Sequence, residues 1–162
     1  MVLNLSNSLL IKKYNDMLNE VTLKTPQQKE YLITKYASIS FIPASKIAIC
    51  TVNAPYIPIT DFKELFSKIS ELVNKEKITK FIFDKRKMTT FHQPSMEWYH
   101  LIWKEEMYTI GLTSHRKLLP NDKLFEQSVI TGRKKIARDN PDFIFEKFDI
   151  RYCNSIEEAI SK

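Results

Sequence analysis

The stretch Lys80-Phe81-Ile82-Phe83-Asp84-Lys85-Arg86-Lys87-Met88, followed by Phe91-His92-Gln93-Pro94-Ser95 and an aromatic run over 96–110 that closes on Gly111, decides the fold. Phe81, Ile82 and Phe83 form a short apolar run ending on an aspartate, the pattern of a buried strand. Pro94 suits the first turn of a helix and Gly111 suits a left-handed exit, so the chemistry at both ends predicts a helix over 94–110. Strand, basic loop and aromatic helix in that order point to an open α/β sheet, in which ligands and partners dock on the loops leaving the carboxyl ends of strands.

Upstream, Thr60 can cap a helix whose Phe62, Leu65, Phe66, Ile69, Leu72 and Val73 keep helical spacing, making 60–84 a crossover that yields parallel pairing. Ala37, Ile39 and Phe41 alternate with Ser38 and Ser40. Ile47, Ile49 and Thr51 alternate with Ala48, Cys50 and Val52 beyond a Pro43-Ala44-Ser45 break, which predicts a hairpin. Residues 7–22 stack Leu10, Tyr14, Met17, Leu18 and Val21 on one side of a helix, capped by Ser6 or Asn7 and stopped at Thr25-Pro26. An edge strand at Leu9-Leu10-Ile11 is the alternative. The polar segment 25–30 reads as a connector, dividing the chain into 1–30 and a compact unit at 31–162.

Downstream, residues 112–119 supply a further strand, polar for a central one because of Ser114-His115-Arg116-Lys117. Asn121 or Asp122 caps a helix carrying Leu124, Phe125, Val129, Gly132 and Ile136, which ends before Asn140-Pro141. Phe143, Phe145 and Phe148 read as an edge or penultimate strand, and Ser155 with Glu158 as the capping box of a terminal helix. The expectation is α/β: a mixed sheet of about four to five strands with flanking helices, preceded by an N-terminal helix.

At 162 residues, 43% of them hydrophobic, the chain is long enough to bury a substantial core. It lacks the run of roughly 18 apolar residues that a membrane span needs. Its amino end has no secretory-signal pattern, so it reads as cytoplasmic. Cys50 and Cys153 read as reduced, packed thiols. The formal charge of +6 favours nonspecific attraction to nucleic acid or acidic surfaces. With Gly111 and Gly132 as the only glycines, neither a Walker A loop nor a GxGxxG turn can be assembled, and the GxSxG elbow is missing too. His92, His100 and His115 fit neither HExxH nor zinc spacing and read as surface or partly packed residues. No metal or cofactor is expected. Glu105-Glu106 and Glu157-Glu158 read as solvated helix faces. No catalytic constellation emerges beyond a loose grouping of Asp84, His92 and Ser95, so the protein is expected not to be an enzyme.

The hairpin, capped helix, aspartate-ending strand and aromatic helix resemble the STAS-type fold of bacterial anti-sigma-factor antagonists and of the related SpoIIAA-like proteins. The local match to the latter lies in Asp84-x-Arg86-x-Met88, in Trp98, and in Arg151-Tyr152 leading into Ser155-Ile156-Glu157-Glu158-Ala159. It covers about 31–162. The resemblance implies a regulatory module switched by phosphorylation of a serine at the start of the helix, where Ser95 is the nearest match. Pro94 and Met96 stand where the family has small neighbours, and a plain helix-capping role for Ser95 is the alternative. Lys85, Arg86 and Lys87 in the preceding loop would favour a phosphate there.

The leading functional expectation is a noncatalytic, protein-binding regulatory module. It would use Asp84, Arg86, Phe91, His92, Tyr99 and Trp103, with Trp98 in the core and Tyr99 and Trp103 at the surface. The alternatives are a small apolar ligand or lipid head group held between sheet and helices, as similarity of the SpoIIAA-like group to lipid-carrier domains implies, and nucleic-acid binding through Arg133-Lys134-Lys135, Arg138 and the basic loop. A homodimer stays open.

Overall fold

The computed structural model describes residues 3–24 and 27–162, with side chains for 7–17 and 27–162. The hairpin forms as expected: β2 (Ala37–Ile42) pairs antiparallel with β3 (Ile47–Val52), Ala37 opposite Val52 and Ile42 opposite Ile47. Lys46 turns it with a φ of 56°, and its carbonyl accepts from Thr79 and Lys80 N–H, tying the hairpin to the start of β4 (Lys80–Asp84). From β3 onward the pairing is parallel, through β4 and β5 (Ser114–Leu118) to β6 (Ile150–Tyr152). An antiparallel β1 (Lys29–Ile33) lies outside β2, giving one six-stranded sheet in the order β1-β2-β3-β4-β5-β6.

Strands added always on the same side by right-handed crossovers place every crossover helix on one face. Accordingly, α2 (Ile59–Glu76), α3 (Gln93–Trp98) with its continuation, and α5 (Lys123–Asp139) bury Phe66, Tyr99 and Phe125 against Ala48, Cys50, Phe81 and Phe83. The alternate residues Ile47, Ile49, Ile82 and Leu118 face the other way, where α6 (Ile156–Ser161) covers them with Ala159. This is the period-two logic of a strand buried on both faces.

Six residues of α2 are buried, the six that its spacing singled out. Its start differs from expectation: Pro58 is the N-cap, without a side-chain cap bond, and Thr60 lies inside the first turn. The predicted helix at 94–110 is α3, a π-helical turn at Tyr99–Trp103, and α4 (Lys104–Thr109), followed by Gly111 at φ 104°. Asp122 caps α5 by accepting from Leu124 N–H at 2.8 Å and Phe125 N–H at 3.2 Å. Asp122→Ala is expected to cost about 1 kcal/mol of unfolding free energy in a urea titration; an unchanged midpoint would show that water replaces the cap without loss. At α6, Ser155 Oγ accepts from Glu158 N–H, while the Glu158 carboxylate returns to Asn154 N–H, one residue before the cap itself.

Two expectations are corrected, and a third holds with a different start. The sheet has six strands, because β1 begins at Lys29 inside the stretch read as connector. Phe143, Phe145 and Phe148 are not a strand: Phe145–Phe148 is a 3-10 turn, Phe143 stacks on Phe148 at 5.6 Å, and Asp149 with φ 39° redirects the chain into β6. The amino-terminal segment is a helix, α1 (Leu3–Lys24), and not an edge strand, but it starts before Ser6 and Asn7. Its Leu9, Leu10, Ile11, Tyr14 and Met17 are exposed. The side chains of Leu18 and Val21 and the Thr25-Pro26 stop lie outside the described residues.

Candidate functional site

Four parallel strands bring their carboxyl ends to one edge, so the residues after β3, β4, β5 and β6 meet there. Asp84, buried at the end of β4, holds Arg86 in a two-pronged grip: Nε donates to Oδ1 at 2.9 Å and Nη2 to Oδ2 at 2.8 Å, with Arg86 N–H also donating to Oδ1. This clasp turns the chain out of the sheet. Thr89 and Thr90 N–H then bond to the Pro55 carbonyl, and Phe91 packs edge-on against Phe125 at 6.0 Å. His92 caps α3: its Nδ1 lies 2.8 Å from Ser95 Oγ and accepts from Ser95 N–H. His92 and Ser95 are thus brought together, whereas Asp84 commits its carboxylate to Arg86. Ser95 is buried at 2% exposure, so a kinase reaches its hydroxyl only after the loop opens.

Gly132 of α5 is where α3 closes on α5. A Cβ there would collide with Gln93 Oε1 and come within 2.7 Å of Phe91 Cζ, and Gln93 Nε2 donates to the Gly132 carbonyl. Gly132→Ala is expected to destabilise by about 1–3 kcal/mol through overpacking, against a helix-propensity gain of about 1 kcal/mol. Equal or higher stability of the variant in calorimetry would show that Phe91 and Gln93 yield freely.

Tyr99 and Trp103, expected at the surface, are core residues at 0% and 1% exposure. Trp103 stacks on Tyr99 at 5.4 Å and donates from Nε1 to Ser70 Oγ. They lie on the helix stripe that meets the Phe81–Phe83 face of the sheet, the place that sequence reading gave to Trp98, which is only partly buried. His100 and His115, expected at or near the surface, are buried as well.

The feature that sequence reading missed is a cluster of buried cations between sheet and helices. Lys85, Lys104 and Lys117 are at most 2% exposed, and none has a carboxylate partner among the described residues. Lys117 Nζ lies 3.3 Å from His100 Nε2 and 5.2 Å from the Tyr99 ring centre. Lys104 Nζ lies 4.9 Å from the Tyr99 ring centre and 5.6 Å from that of Phe148. Tyr99 Oη, His100 Nδ1 and both His115 ring nitrogens are buried without a hydrogen-bond partner among the described residues, and the Lys104 amine has only the neighbouring Lys117 amine. The next residue along β5 shows the contrast. Arg116, pointing to the opposite face, is equally buried but meets the Asp149 carboxylate at 3.0 Å and the carbonyls of Asp149 and Lys162.

Burial, which disfavours the charged form, is the main cause of every shift here. It brings Lys85 down to about 8. Lys104 and Lys117 fall well below their ordinary value, first by burial and then by repulsion from neighbouring cations, Arg133 among them. His100 and His115 are likewise held well below 6.5 by burial and then by the lysines. The only signal in the sequence was the polar stretch of β5, which the sheet nevertheless places in its interior, between β4 and β6.

Outside this cluster, a crevice of about 400 Å3 opens between α5 and the ends of β5 and β6, lined by Leu119, Val129, Ile130 and Tyr152 with Glu126, Arg133, Cys153 and Asn154. Inside it, Lys85, His100, Lys117 and Arg133 line a space of about 10 Å3, together with Phe91, Met96 and Val129. Val129 and Arg133 border both. Arg133 stands across the junction, donating from Nη1 to Tyr152 Oη at 3.2 Å with its guanidinium 4.5 Å from the Phe145 ring centre.

The basic stretch of α5 is mostly paired: Lys135 with Glu97 at 2.7 Å and Asp139 at 3.0 Å, Arg138 with Asp139 at 2.8 Å. With Lys85 buried as well, the basic stripe considered for nucleic acid is not a continuous free face. Among the described residues, no group of three or more His, Cys, Asp or Glu could hold a metal ion, and no helix is long and apolar enough to cross a membrane. No family model matches the chain, and neither a curated protein nor a solved structure shows significant similarity to it.

Proposed function

We propose that the protein is a noncatalytic binding module that holds a small, largely apolar ligand at the carboxyl edge of its sheet. The observation that carries this reading is the crevice of about 400 Å3, where Leu119, Val129, Ile130 and Tyr152 offer apolar surface beside Glu126, Arg133, Cys153 and Asn154. Its size and lining are those of small-molecule sites, and its position is where open α/β sheets bind ligands. His92 and Ser95 form a close pair, but their third partner is engaged elsewhere, which supports binding without turnover. The neutral fluorophore N-phenyl-1-naphthylamine is expected to brighten on the wild type. Ile130→Asp, at a half-exposed position lining the crevice, is expected to weaken that binding by at least about tenfold, the effect of about 1.4 kcal/mol. Equal brightening by the two proteins removes the crevice as the site.

The second reading, a regulatory protein-binding module of the STAS type, is supported by Leu124, which is 82% exposed at the amino end of α5 next to Phe125, the partner of Phe91. The hairpin followed by parallel strands also supports the SpoIIAA-like resemblance. If Leu124→Arg and wild type recover the same partners from lysate of the native cell, this surface is not the interface.

A further inference from the structure

Three buried lysine amines without a carboxylate partner among the described residues are an expensive arrangement in their charged form, because an isolated ion loses several kcal/mol of solvation on burial. Asp149 meets the buried Arg116, but nothing comparable among the described residues meets Lys117 on the other face of the same strand. The polar atoms left open there include His100 Nδ1, buried and unpartnered among the described residues. Negative charge brought from outside would complete the cluster; the groove beside Gln93 and Thr131 meets the inner space at Phe91 and Gly132, whereas the crevice meets it at Val129 and at the cationic Arg133, which makes the crevice the route suited to an anion.

Resting on the ligand-binding reading above, we infer that the ligand is an amphiphilic monocarboxylate. Its tail lies along Leu119 and Ile130, and its carboxylate turns inward past Arg133 toward Lys117, Lys85 and His100. Charge complementarity selects an acid. Size and shape favour a carboxylate: the inner space, about 10 Å3, holds a single water-sized group, so one oxygen enters it, and a planar carboxylate then leaves one further oxygen for Arg133 where a tetrahedral phosphate leaves two. Arg133 suits the junction, since a guanidinium can leave a tyrosine hydroxyl and a ring face for a carboxylate with two parallel bonds.

The test uses the whole chain and three probes with the same tail: octanoate, 1-octanol and octyl phosphate, followed by thermal unfolding and titration calorimetry. Wild type is expected to bind octanoate at least about tenfold tighter than 1-octanol, a difference of about 1.4 kcal/mol, and octyl phosphate no tighter than 1-octanol. Lys117→Met keeps the length of the side chain and removes the charge. It is expected to bring the octanoate-to-octanol ratio close to one while 1-octanol binding persists. Lys85→Met provides the same reading from the neighbouring strand. If wild type binds octanoate and octanol equally, the carboxylate assignment is overturned and the crevice reading stands. If octanoate preference survives both substitutions, the cluster is not the head-group site. Tightest binding of octyl phosphate overturns the choice of acid, and binding of none of the three removes the crevice reading and this inference together.

Discussion

Lowering the pH from 7.5 toward 5 is expected to destabilise the fold steeply, with no carboxylate yet protonated over most of that range. His100 and His115 are buried, both held well below 6.5, first by burial and then by the neighbouring lysines. Below pH 6.5 the unfolded chain therefore binds protons that the folded chain refuses, and unfolding free energy falls as pH falls. Each histidine contributes about 1.4 kcal/mol per pH unit until its folded-state value is reached, so the pair removes about 3 kcal/mol per unit. Set against a typical total of about 5–15 kcal/mol, that is enough to bring the midpoint of acid unfolding above that of an ordinary domain. His115 faces Phe81, Trp103 and Phe148 at ring separations of 6.0–6.4 Å, so His115→Phe fits an aromatic environment and is expected to halve the slope. Urea titrations at half-unit pH steps give the result directly, and a flat dependence between pH 7.5 and 5 would contradict the burial of both rings in neutral form.

Lys104→Met is expected to stabilise the protein by about 1–4 kcal/mol at neutral pH, the range seen when buried charged groups give way to apolar ones of similar volume. Lys104 is fully buried beside the Tyr99 and Phe148 rings, and its amine meets no carboxylate among the described residues, only the amine of Lys117. For a chain of this size the gain corresponds to about 2–4 °C in Tm per kcal/mol. The pH dependence carries a second signature. Lys85, Lys104 and Lys117 have folded-state values below 10.5, and for Lys85 the value is about 8. Between folded and unfolded values the unfolded chain holds more protons, so stability rises with pH, from about 8 upward for Lys85, and Lys104 and Lys117 act in the same sense. Cys50 and Tyr99, whose values burial pushes up, oppose this above 9 and 10 respectively. Wild type is therefore expected to gain stability between pH 8 and 9, and Lys104→Met to gain less. A variant that loses stability at pH 7.5 would mean that Lys104 makes a favourable interaction the structure does not contain.

The parts of the fold legible in the sequence were those written in spacing and caps. Phe62 through Val73, the alternating Ala37–Ile42 and Ile47–Val52 runs, Asp122, Gly111 and Ser155 each announced an element that formed. What stayed hidden depended on tertiary partners. Lys29 and Glu30 join a strand because Phe41 and Ser40 lie opposite them, a fact that no local pattern carries. Phe145 and Phe148 stand three apart, which suits a turn as well as a strand, and the left-handed Asp149 decided the matter. Trp98 and Trp103 share one helix, and the choice of which faces the sheet required the position of Ser70. The candidate site was the least legible part. Lysine is almost never fully buried without a partner, so no local pattern marks Lys85, Lys104 and Lys117 as interior residues. Asp84, Arg86, Phe91 and His92, expected as interaction residues, lie together beyond β4, where they build the loop and the start of α3 and do not line the crevice.

The most direct test is native mass spectrometry of the protein purified from its own cells without detergent. A discrete noncovalent mass increment, carried by the wild type and lost in Ile130→Asp, is the predicted result. The bare chain mass in every wild-type preparation, or an increment that persists in Ile130→Asp, would contradict a ligand held at the carboxyl edge of the sheet.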